Sequence, residues 1–171
     1  MRQAAIGILV VVGCCAALGY AAQPGQPNAR ARILGAWQLE SRTVRTPGGE
    51  MLDPVLGKQP LGRLFYDASG RMGLQMMRQE RAQAITRPAN PQDADNQRAV
   101  LGYDSYFGTF ALNESAGTIT HHVEGSLFPE DLGKDFVRSF SIDGDTFTLG
   151  FTAKAADGSD VTRTLRFRRL K

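Results

Sequence analysis

The chain has two histidines, His121 and His122, side by side in the run Thr118-Ile119-Thr120-His121-His122-Val123-Glu124-Gly125-Ser126-Leu127. Imidazole titrates nearest neutrality, so proton transfer would begin with these residues. On a strand, successive side chains point to opposite faces, so one site cannot use both. His122 then shares a face with Thr120, Glu124 and Ser126, and His121 shares one with Ile119, Val123 and Leu127. A His122–Glu124 pair on one face has the makings of a general acid and base. Arg138 is in phase with Phe136, Phe140 and Ile142. It reads as an inward charge needing an acidic partner, for which Glu124 is the candidate. Tyr66, Gln75 and Tyr106 complete the candidate ligand-binding set. A plainer reading competes with this one. Alternation alone sends the apolar companions of His121 inward and leaves Thr120, His122, Glu124 and Ser126 in water.

Other chemistry is sparse. A metal site would need a third ligand, and the only cysteines, Cys14 and Cys15, lie in the N-terminal segment; no metal and no cofactor are expected. Met72, Met76 and Met77 read as core or pocket lining. The sequence holds no G-x-S-x-G, no H-E-x-x-H, no P-loop and no dinucleotide fingerprint. Arg163, Arg166, Arg168, Arg169 and Lys171 form a basic end that reads as a solvated face. With a formal net charge of only +3, no nucleic-acid partner is expected.

The N-terminal segment reads as an export signal. Arg2 precedes an apolar run from Ala4 to Leu18, and Gly19-Tyr20-Ala21 offers small residues for cleavage. Residues 1–21 are therefore a signal peptide, and the protein is periplasmic or secreted. Val11-Val12-Gly13-Cys14 offers an alternative, a lipobox that would anchor the chain at Cys14; membrane contact is expected only then. Residues 22–32, rich in Pro, Gln, Asn and Arg, read as a linker, and residues 33–171 as one domain.

That domain reads as short strands joined by tight turns. Trp37, Leu39, Ser41 and Thr43 alternate with Gln38, Glu40, Arg42 and Val44, which predicts a half-buried first strand. Hairpins are expected at Ala68-Ser69-Gly70, at Glu114 to Gly117, at Asp143-Gly144-Asp145 and at Asp157-Gly158. Asn90-Pro91, followed by Asp93 and Asp95, predicts the start of one short helix running to Ser105. About eight or nine strands without crossover helices make an all-β antiparallel barrel.

Gly35-Ala36-Trp37 opens the first strand, and Leu165, Phe167 and Arg169 share a face of the last. Leu34 to Leu39, Gly62 to Tyr66, Asp67 to Met72 and Gln75 to Arg78 follow in order, then Tyr106 to Phe110 and Gly117 to Pro129. These blocks resemble those of a family of small bacterial lipocalin-like domains, over about Ile33 to Leu170. The resemblance implies a lipocalin-like β-barrel. It also implies that Trp37 plugs the closed end beneath a basic side chain, for which Arg169 is the candidate. Such a barrel holds one small apolar or amphipathic ligand in its mouth. Two other functions are open: a small cofactor-free cyclase or isomerase using His122 and Glu124, or His121; and an envelope protein with a filled barrel whose surface binds a partner.

Overall fold

The computed structural model describes residues 28–81, 101–154 and 158–171. Asn28 caps a single helical turn, α1 (Ala29–Ile33), by accepting from the Ala31 N–H. Nine strands follow: β1 (Gly35–Thr46), β2 (Gly49–Leu52), β3 (Leu61–Tyr66), β4 (Arg71–Met77), β5 (Tyr103–Asn113), β6 (Thr118–Ser126), β7 (Asp135–Asp143), β8 (Thr146–Lys154) and β9 (Asp160–Arg169). A 3-10 turn, Pro129–Asp131, separates β6 from β7. Every pairing is antiparallel; apart from the long β4–β5 connection, the links between successive strands are too short for a crossover. The sheet runs β2-β1-β3-β4-β5-β6-β7-β8-β9, and β9 pairs back onto β1. Eight strands therefore close on themselves, and β2 extends β1 as a hairpin outside the ring. Closure leaves those eight no free edge.

Inward positions on each strand form the core of the barrel. Leu64, Leu74, Ile119, Val123, Phe147, Leu149, Leu165 and Phe167 are almost wholly buried. Two bulges break the simple alternation. On β1, Leu39 pairs with Phe167 and Ser41 with Arg166, which leaves Glu40 as an extra residue. The expected single face from Trp37 to Thr43 therefore ends at Leu39. Beyond the bulge Arg42 and Val44 turn inward and are buried. On β6, Phe107 pairs with Gly125 and Gly108 with Val123, so Glu124 is the unpaired residue. Gly108 is required there, because a Cβ would stand 1.9 Å from the His122 carbonyl oxygen.

Residues 1–27, which include the expected signal and lipobox, lie outside the described residues, as do 82–100 and 155–157. The last part of the expected linker is the cap and body of α1. Most of the expected helix after Asn90 also falls outside. Its end is corrected: Tyr103, Asp104 and Ser105 are strand, paired with Met77, Met76 and Gln75.

Candidate functional site

The two ends of the barrel differ. At one end α1 folds across the opening, and Ile33 and Trp37 are fully buried beneath it. The Trp37 indole N–H donates to the Ile33 carbonyl at 2.8 Å. Arg169 pairs with Trp37 across the β1–β9 ladder and lays its guanidinium 4.1 Å from the centre of the indole. Its Nη1 donates to the Leu34 carbonyl at 2.9 Å, and its Nη2 to the Arg32 carbonyl. Gly35 has a φ of +113°, and a Cβ there would lie 3.5 Å from Arg169 Nη1. The glycine of G-x-W thus serves the backbone turn, and the guanidinium lies against it in ordinary contact. The expected Trp37–Arg169 pair is present.

Midway along the barrel stands His121, fully buried. Tyr66 Oη lies 2.7 Å from its Nε2, and Tyr106 Oη 2.8 Å from its Nδ1. A neutral imidazole has one N–H and one lone pair, so one phenol accepts and the other donates. Burial, reinforced by the charge of Arg138, pushes His121 down to about 3. Burial also raises both tyrosines above the ordinary phenol range. All three groups are therefore neutral at physiological pH. With no exposed atom and both nitrogens taken, His121 cannot reach a ligand; it holds the two phenols in place.

The other end is open. A cavity of about 480 Å³ enters there, between the ends of β1, β4 and β8 and the starts of β5, β7 and β9. Leu74, Met76, Leu149, Leu165, Phe136 and Phe151 form its apolar wall, and Tyr106 is part of its lining. Side chains do not fill this end of the interior. Three arginines, Arg42, Arg138 and Arg163, line the same space. Arg42 Nε lies 3.0 Å from Asp53 Oδ2, and Arg163 Nε 3.8 Å from the same oxygen. Arg42 also approaches Asp104 at 3.9 Å. Asp53 is itself buried, with Oδ1 accepting from the N–H groups of Val55 and Leu56. Desolvation raises the Asp104 carboxyl against the pull of Arg42 and Arg138.

Arg138 is held differently. Its guanidinium sits among Phe151, Phe136 and Tyr106, at 4.1, 5.3 and 5.9 Å from the ring centres. Its Nη2 donates to Tyr106 Oη at 3.2 Å. Its buried Nε has no hydrogen-bond partner, and among the described residues no carboxylate is within ion-pair distance.

Of the sequence candidates, Tyr66, Tyr106 and Arg138 are inside, the two phenols joined through His121 and Arg138 bonded to Tyr106. His122, Glu124 and Gln75 are not. All three are exposed on the outer face, and His122 Nδ1 lies 2.8 Å from Asp135. The Glu124–Arg138 pair and the His122–Glu124 acid–base pair are both corrected. Strand alternation puts His121, not His122, in the core, and leaves Glu124 outside on the same face as His122. Arg42, Asp53, Asp104 and Arg163 were missed. The basic end is also divided: Arg163 and Arg169 turn inward, while Arg166 and Arg168 pair outside with Glu40 at 3.2 and 2.5 Å. Among the described residues no cluster of three or more His, Cys, Asp or Glu could hold a metal ion.

A family model described as "Lipocalin-like domain" matches residues 34–170. No curated protein matches the sequence. Among solved structures, a complex of bovine odorant binding protein with a selenium-containing odorant aligns at 12% identity with a TM-score of 0.43. The alignment covers 88% of this chain and 78% of that one.

Proposed function

This chain belongs to the lipocalin-like domain family, and from that premise we propose that it binds one small amphipathic molecule in the open end of its barrel. The observation that carries the reading is the cavity of about 480 Å³, closed at its far end and walled by apolar side chains with a few polar groups. Its volume is in the range of small-molecule sites. The acid–base alternative is less well supported, because His121 is sealed and His122 and Glu124 face water. The test uses a neutral fluorescent probe, N-phenyl-1-naphthylamine. Saturable one-to-one binding is expected. Ala153 lines the mouth of the cavity, so Ala153→Trp should block the probe. Absence of saturable binding to the native protein would overturn the reading.

We also propose that the protein is exported. Residues 1–21 support export, with Cys14 lipidation as the alternative. N-terminal sequencing of the protein from its own cells should begin at Ala22, or be blocked at a lipidated Cys14. An intact Met1 on a cytosolic product would overturn export.

A further inference from the structure

We infer that Arg138 receives the carboxylate of the bound molecule, so that the ligand class is a small amphipathic carboxylate with its charged end inside the barrel. The inference rests on the binding reading and adds the chemistry of the ligand and its orientation.

Three observations carry it. The first is burial without neutralisation. Arg138 is 8% exposed, yet it has no carboxylate partner among the described residues. A buried charge normally acquires one. The second is the pattern of satisfied and unsatisfied atoms. The aromatic rings stabilise the guanidinium through their π-faces, but they supply no acceptor for its in-plane N–H groups. Only Nη2 has one, Tyr106 Oη, and Nε has none. A carboxylate accepts in the plane of the fork, from two N–H groups at once. The third is the pairing of the other cavity arginines. Arg42 lies 3.0 Å from Asp53 and 3.9 Å from Asp104, and Arg163 lies 3.8 Å from Asp53. Arg138 has no such partner among the described residues, although Asp104, Asp131 and Asp135 line the same cavity. Asp131 pairs instead with Lys134. The apolar wall of Leu74, Met76, Leu149 and Leu165 is left for the rest of the molecule.

The test is competition against the neutral probe by two ligands of equal chain length, decanoate and decan-1-ol. Decanoate should compete at least about tenfold more tightly. In Arg138→Gln the ratio should fall to near one. Arg138→Lys keeps the charge but loses the fork, and should show an intermediate ratio. Equal competition by the two ligands in the native protein would overturn the inference while leaving the binding reading intact. A decanoate preference that persists in Arg138→Gln would also overturn it. Because the native ratio needs no variant, a folding defect in Arg138→Gln would not shield the inference. Failure of the probe itself to bind would remove the binding reading first.

Discussion

Arg169 and Arg138 enter the barrel from different ends, and each guanidinium lies 4.1 Å from the centre of an aromatic ring. Beyond that they differ. Arg169 donates to two backbone carbonyls and has Asp145 at 3.9 Å. Arg138 donates to one phenol and leaves its Nε without an acceptor. Cation–π stacking alone therefore does not reveal what a buried arginine is for; the account of its N–H groups does. At the closed end those groups join α1 to the indole. At the open end they are held ready in a cavity.

If the closed end carries stability, its deletion should have the largest effect. Trp37→Ala removes a fully buried indole and its bond to Ile33, and should cost about 3–5 kcal/mol in urea unfolding. A cost below about 1 kcal/mol would mean that the end collapses without its plug and that the contrast is misplaced.

His121, midway between the ends, should respond to acid. Its folded value is about 3, and its unfolded value is about 6.5. Between the two, the unfolded chain binds the proton and the folded chain does not. The stability contribution is thus fully present above about pH 6.5 and is lost as pH falls toward 3, at up to about 1.4 kcal/mol per unit. Urea midpoints measured between about pH 6 and 5, where most carboxylates remain ionised, isolate this component. His121→Gln, which keeps a donor and an acceptor, should remove that slope. An equal slope in native and variant protein would assign the acid sensitivity elsewhere.

The next largest effect separates the arginines directly. Arg169→Met strands the Leu34 and Arg32 carbonyls and should cost about 2–3 kcal/mol. Arg138→Met removes a charge that has no counterion and should change stability by less than about 1 kcal/mol, or raise it. Equal losses in the two variants would make Arg138 a structural residue and erase the comparison.

The closed end was the more legible of the two in the sequence. Trp37 and Arg169 belong to regular strands, where period two brings them onto the inner face without interruption. Turn residues likewise marked the hairpins, because they act locally. The open end depends on features that alternation cannot supply. Arg42 faces inward only because Glu40 bulges out of β1, and nothing in the Trp37–Val44 pattern marks that insertion. Asp53 lies in an irregular stretch before Pro54 whose pattern carries no mark of its role as the buried counterion of Arg42. Tyr103–Ser105 follow the helix start signals at Asn90-Pro91 in sequence, but pairing with β4, a non-local contact, makes them strand. Gln75 faces outward by the same alternation that buries Leu74 and Met76. Only Arg138 could be placed inward from phase alone, but not the absence of its partner.

The smallest effect should come from the polar pair outside. His122 and Asp135 are opposite each other on β6 and β7, 2.8 Å apart, with side chains 52% and 62% exposed. Water screens such a pair, and two mobile side chains lose entropy to hold it. A double-mutant cycle with His122→Ala and Asp135→Ala should give a coupling of about 0.2–1 kcal/mol. His122→Ala should not lower the decanoate preference tenfold, because the His122 side chain is exposed on the outer face. The two histidines are one residue apart in sequence, yet one is sealed between phenols and the other faces solvent. If the exposed pair coupled by more than about 2 kcal/mol, or if His122→Ala abolished the decanoate preference, β6 would present its opposite face to the cavity. The Tyr66–His121–Tyr106 arrangement could not then stand.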